Sequence, residues 1–270
     1  MRTRKAALVG ALCVGLSTGL VACGGKEDPD AGTNGVGKLK AAAIQERARE
    51  AARGADAVHL SGSVVSQGRT YRIDVRLKQD GGSGKVTSGD VAFELLRVGD
   101  ELFVKGDAAF WARGGAGAGP GGGPNPVPAP GAGAAGSPGK KGKGDLATAA
   151  QKLNGKYVKV PSGDPAYRQL RGFTDKNTLL DGLLGLHGKL LRGDHGTVGG
   201  TRSIRLTAGD ARGAGGVLDV SLDGTPYPLR LQRAGGAGEV NFAEWGKGFS
   251  LRVPEKGQTL DYGKRLPAGG

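Results

Sequence analysis

Along most of this chain the apolar positions recur at every second residue. In "TYRIDVRLK", Tyr71, Ile73, Val75 and Leu77 fall on one face and Arg72, Asp74, Arg76 and Lys78 on the other, the signature of a half-buried strand. "VHLSGSVVS" precedes it across a turn near Gln67 and Gly68, and "VAFELLRVGDELFVKG" reads as a hairpin turning at Gly99 and Asp100. The pattern resumes in "KYVKV" and then in "TRSIRLTA", "GVLDVSLDG", "YPLRLQR", "GEVNFAEW" and "GFSLRVPE". In "GVLDVSLDG", Leu218, Val220 and Leu222 alternate with Asp219, Ser221 and Asp223, so one side of the sheet is apolar and the other wet. An antiparallel sheet covered on one side has this character.

Three stretches have helical rather than strand periodicity. "LKAAAIQERAREAARG", from Leu39 to Gly54, is built of good helix formers with Gly54 as its stop. A second helix starts near Asp164 in "DPAYRQLRGF". A third follows Thr174, a candidate N-cap, in "TDKNTLLDGLLGLHGKLLRG". There Leu179, Leu183, Leu186 and Leu190 form one stripe and Leu180, Leu184 and Leu191 a second. Two stripes exceed what a surface helix needs, which predicts enclosure on several sides.

Two stretches carry almost nothing to bury. Residues 24–37, "GGKEDPDAGTNGVG", read as a flexible tether spanning roughly 20 Å. Residues 113–144, rich in glycine and proline, read as a disordered insert ending in Lys140, Lys141 and Lys143. A fold tolerates such an insert because loop-closure entropy grows only logarithmically with length.

The N-terminus adds a chemical signal. Arg2, Arg4 and Lys5 precede an apolar run from Ala6 to Ala22, the layout of a secretory leader. The run is about 17 residues long with glycines at 10, 15 and 19, marginal for a membrane span. It ends in "LVAC", which resembles the bacterial lipobox. On that reading Cys23 takes a diacylglyceryl group and cleavage falls between Ala22 and Cys23. Two chains are needed because one binds a bilayer only marginally. The alternatives are an ordinary leader with a chance cysteine, or an uncleaved anchor. Cys13 lies inside the leader, so the mature chain keeps Cys23 alone and forms no intrachain disulfide.

Composition narrows the function. The formal charge of +13 falls to +10 without the leader, which carries three cations and no acid. An exported basic chain meets anionic headgroups or wall polymers and no genome, which argues against nucleic acid as a partner. Motifs for chemistry are poor. Gly117, Gly119 and Gly122 fit G-x-G-x-x-G but lack the flanking strand and helix. Residues Gly32 to Lys38 fit G-x-x-x-x-G-K, yet Leu39 stands where a P-loop needs Ser or Thr. His59, His187 and His195 are scattered; His187, His195 and Asp194 are a weak zinc candidate against surface or capping roles. Asp219 and Asp223 read as solvated face residues. No catalytic residue, cofactor or resident metal is called for, and the chain reads as a non-enzyme.

The lipobox, the polar tether, the N-terminal helix, the block opening "VHLSGSV", the central Leu-rich helix and the closing "NFAEW…FSLRVPE" together resemble the LppX/LprG-type lipoproteins of actinobacteria, in the LolA/LolB-like superfamily. The likeness spans most of Leu39 to Pro254 and rests on element order. The long insert departs from it. The resemblance implies an α+β fold, an incomplete antiparallel β-barrel with helices packed in its concave face and an apolar cavity that holds acyl chains. The organisation that follows is a leader over 1–22, a tether over 23–37 and one domain over 38–266 interrupted by the insert. The implied function is a lipid-anchored protein on the extracytoplasmic face of the cell membrane that carries or presents a lipid or glycolipid. Leu180, Leu183, Leu184 and Leu191 are its cavity candidates. Two alternatives stand beside it: the Leu stripes are ordinary core with no cavity, or the domain is an envelope sensor or interaction module with a protein partner.

The lipobox reading is tested by Cys23→Ala. The variant should leave the membrane fraction or accumulate as an unprocessed precursor. A fully processed variant that still partitions into detergent rejects Cys23 as the anchor.

Overall fold

The structure is a computed structural model that describes residues 28–66, 69–89, 91–112, 148, 150–209 and 215–261. The leader, Cys23, the insert at 113–144 and the turn at Gln67 and Gly68 lie outside the described residues.

The described strands are β1 (Ala57–Ser66), β2 (Arg69–Lys78), β3 (Gly81–Ser88), β4 (Val91–Val98), β5 (Glu101–Gly106), β6 (Tyr157–Val160), β7 (Lys189–Val198), β8 (Thr201–Gly209), β9 (Gly215–Ser221), β10 (Pro228–Arg233), β11 (Gly238–Ala243) and β12 (Thr259–Asp261). They form one sheet in the order β12-β6-β5-β4-β3-β2-β1-β11-β10-β9-β8-β7, with β7 and β12 left as edges. Every pairing is antiparallel except β12 with β6. The α-helices with described bounds are α1 (Ala41–Gly54), α2 (Ala108–Ala112), α3 (Pro165–Thr174) and α4 (Lys176–Leu184), and residues 150–153 are also helical. This is an α+β incomplete barrel. In β2 the predicted inner face, Tyr71, Ile73, Val75 and Leu77, is buried, while Arg72, Asp74 and Arg76 are exposed.

Helices laid on an apolar sheet bring polar ends with them. The last four carbonyls of a helix have no partner within it, and here each of three C-termini meets a donor from a neighbouring element. Arg97, 3% exposed on the inner face of β4, donates from Nη2 to Thr174 O at the end of α3 (2.9 Å) and from Nη1 to Gly99 O (2.8 Å). Lys176, 1% exposed at the start of α4, donates from Nζ to Arg53 O (2.8 Å) and Ala52 O (3.3 Å) at the end of α1. Gln45 of α1 donates from Nε2 to Leu184 O at the end of α4 (3.0 Å). Burial lowers the pKa of Lys176 from its ordinary 10.5. The unfolded chain therefore holds that proton more tightly, and the stability cost of burying the charge fades as pH rises towards 10.5.

The structure corrects the sequence pattern in six places. Residues 81–88 form β3, although "GGSGKVTS" shows no alternation, because two of its inner positions, Gly82 and Gly84, are glycines and only Val86 is apolar. A Cβ on Gly82 would meet Leu77 and approach Thr174 O at 3.2 Å, and one on Gly84 would overlap Val75. The third helix starts one residue later than expected. Asp175, not Thr174, accepts the Thr178 N–H as its cap (2.9 Å), and Thr174 closes α3. That helix also stops at Leu184; after Gly185 and a left-handed Gly188 (φ 91°), Leu190 and Leu191 belong to β7. "GFSLRVPE" is not a strand. It crosses the outer face, with the Phe249 ring 5.8 Å from Lys78 Nζ and Leu251 against Gly81, before the chain adds β12 beside β6. The outer face is not wet throughout: Phe103, which pairs with Leu96 on that face of β5, is only 1% exposed.

The tether is shorter than expected, because residues 28–37 dock on the domain. Asn34 donates to Ser221 O and Gly224 O (both 3.0 Å), Arg202 to Gly32 O (2.8 Å), and Arg192 to Gly37 O (2.9 Å), while Val36 is buried. Asp219 is not solvated. It is 1% exposed, held by Arg230 (2.9 Å) and Arg205 (3.4 Å) on the flanking strands.

Arg97 combines buried hydrogen bonds with core volume. Arg97→Ala should lower unfolding free energy by about 3 kcal/mol in chemical denaturation. A loss below about 1 kcal/mol would mean that the α3 terminus is satisfied by water.

Candidate functional site

The end of α4 leaves space beside the sheet. Gly185 ends the helix in a tight turn, with the Leu186 N–H donating to Leu184 O (2.9 Å), and residues 185–187 then lie beside Gly215 of β9 and Arg233 of β10. Here an opening of about 340 Å³ is lined by Gly182, Leu183, Gly185, Leu186, His187, Gly215, Leu231, Arg233, Ala234 and Ala237. The glycines contribute to the space: a Cβ on Gly182 would meet nothing within 4 Å. Pockets of about 300 Å³ and above take small ligands, so this one suits a single chain.

The sheet register fixes what faces the opening. Leu231 pairs with Leu218 and Arg233 with Gly216, so Arg233 lies on the same face as the buried Leu231. Arg233 is exposed and has no ion-pair or hydrogen-bond partner among the described residues. The floor is therefore apolar and the rim cationic. The other openings described differ in kind. The largest, about 390 Å³ on the outer face, is lined by Asp74, Arg76, Lys85, Glu94 and Tyr157 among others.

The predicted site residues separate. Leu180 and Leu184 are fully buried in the core, Leu183 is buried and lines the opening, and Cys23 lies outside the described residues. Leu191 is corrected. It stands on the edge strand β7 opposite the outer-facing Thr207 and is 52% exposed, so it faces no concave cavity. Sequence reasoning missed Leu231 and Arg233 as site residues. The signal for Arg233 was available: in "PLRLQR" it falls at an inner position of the alternation, a cation where an apolar residue is due.

The histidines do not converge. His195 Nε2 lies 3.0 Å from Asp30, His59 Nε2 lies 2.9 Å from Asp74, and His187 sits at the opening. Among the described residues no three His, Cys, Asp or Glu side chains come together as a metal site.

An open antiparallel half-barrel lined by helices, with an apolar opening at one end, defines the class. The chain is similar in structure to the lipoprotein LppX of Mycobacterium tuberculosis, at 13% identity over 78% of this chain and 97% of that one, with a TM-score of 0.42. It is likewise similar to LprF of Mycobacterium bovis, at 12% identity over 78% and 95% with a TM-score of 0.45. The MucA/MucB complex of Pseudomonas aeruginosa matches at 13% identity over 81% of this chain and 59% of that one, with a TM-score of 0.30. No protein-family model matches the chain, and no curated protein sequence does.

The two leucines distinguish core from opening. Leu180→Trp overfills a closed site and should cost about 1–3 kcal/mol in chemical denaturation. Leu183→Trp, which can direct its indole into the opening, should cost clearly less. Equal losses would show that the opening does not admit an indole.

Proposed function

We propose that this chain is a lipoprotein, anchored through Cys23 on the extracytoplasmic face of the cell membrane, that binds an amphiphile and carries or presents it. The observation that carries the reading is the apolar opening of about 340 Å³ at the end of α4, floored by Leu183, Leu186 and Leu231. An acyl chain placed there exchanges water for leucine, and the favourable free energy scales with the apolar area covered. The leader and lipobox supply the address. No covalent chemistry is assigned to the domain.

Native mass spectrometry of the chain made without its leader and Cys23 tests this. The expected result is an adduct with the mass of one amphiphile, absent from Leu183→Trp. A domain free of adduct that co-purifies with a protein would replace the carrier by an interaction module.

A further inference from the structure

The opening has a sign as well as a polarity. Among the lining residues described, Arg233 is the only one with a permanent charge, His187 adds an imidazole, and no carboxylate is present. Arg233 is held there by register. Its partner across the ladder is Gly216, which has no side chain to pack against it, and Leu231 two residues earlier is buried in the core. Other arginines described on these strands are engaged: Arg205 and Arg230 with Asp219, Arg202 with Asp223, and Arg192 with Gly37 O. Just beyond Arg233 the chain turns through Gly235 and Gly236, both at positive φ (67° and 68°). Neither N–H has an acceptor among the described residues. Successive backbone N–H groups in such turns form concavities that attract anions.

We propose that the amphiphile is a single-chain one with an anionic head, carboxylate or phosphate monoester, bound by Arg233 while its chain lies over Leu183, Leu186 and Leu231. This rests on the amphiphile reading and deepens it. The guanidinium is suited to the task because its planar fork matches both head groups with two parallel hydrogen bonds. The volume favours one chain over two. The rim excludes cationic heads by repulsion, and a neutral head gains no charge-assisted bond.

The test is calorimetric titration of the chain from residue 23 onwards, carrying Cys23→Ser, with dodecanoate, dodecyl phosphate and dodecanamide below their micellar concentrations. The two anions should bind roughly tenfold more tightly than the amide, and a difference between them identifies the preferred head. Arg233→Ala should bring both anions to the level of the amide, and Arg233→Lys should retain part of the preference. Arg233 is exposed, so the melting temperature should not move. Leu183→Trp should weaken all three ligands. Equal binding of anions and amide, or anion binding unchanged in Arg233→Ala, overturns the anionic head while the amphiphile reading stands. Anion binding that Leu183→Trp leaves intact places the anion elsewhere and also overturns it. If none of the three ligands binds, the amphiphile reading itself fails.

Discussion

A helix can cover an apolar sheet only if the carbonyls at its C-terminus find donors, and in this fold that requirement is met by side chains. Arg97 serves α3, Lys176 serves α1 and Gln45 serves α4. Each donor sits on a different element from the helix it serves, so the three contacts link sheet to α3, α4 to α1, and α1 to α4. An unpaired buried carbonyl or charge would cost several times what a surface contact contributes. The arrangement therefore fixes helix position more firmly than leucine packing alone, which tolerates sliding and repacking. Because α4 is pinned at its start by Lys176 and at its end by Gln45, the place where it stops is fixed. The opening is a consequence of that stop.

The outer face answers a different constraint. Across the hydrogen-bonded ladder Arg205, Asp219 and Arg230 lie in one row, continued through Asn241 and Ser61 to Asp74, Lys85, Glu94 and Lys105. Charges along this row alternate in sign wherever charged residues are direct neighbours. Exposed pairs contribute little individually, yet like charges placed opposite one another would oppose a wrong register. Asp219 is the exception in strength, since two guanidiniums cover it and remove it from water.

The strands that alternate were legible in the sequence, because one buried and one wet face write themselves at period two. The strand β3 was not, since two of its inner positions, Gly82 and Gly84, are glycine and the apolar surface there comes from Leu77 and Val75 of its neighbour. Leu190 and Leu191 extended the helical stripe on paper, but Gly185 and Gly188 break it, and local periodicity carries no record of where a partner strand waits. The segment over 247–258 alternates without being a strand, because it packs across the sheet rather than within it. At the site, Leu183 was legible as part of a stripe. Arg233 was legible as a cation at an inner position of its strand, but its place with Leu231 beside Leu183 depends on the pairing of β9 with β10 and on the stop of α4, long-range facts that periodicity does not encode.

The docking of residues 28–37 also sets a direction. On the proposed anchoring through Cys23, five residues would reach Asp28, a span of at most about 18 Å. The docked segment lands on Arg202 and Leu222, at one end of β8 and β9. From Leu222 to Gly216, beside Arg233, the strand climbs about 20 Å further. On the anchoring proposed above, the domain would be held by this end, like a cup on a short stem, with the rim at Arg233 the end farther from the bilayer.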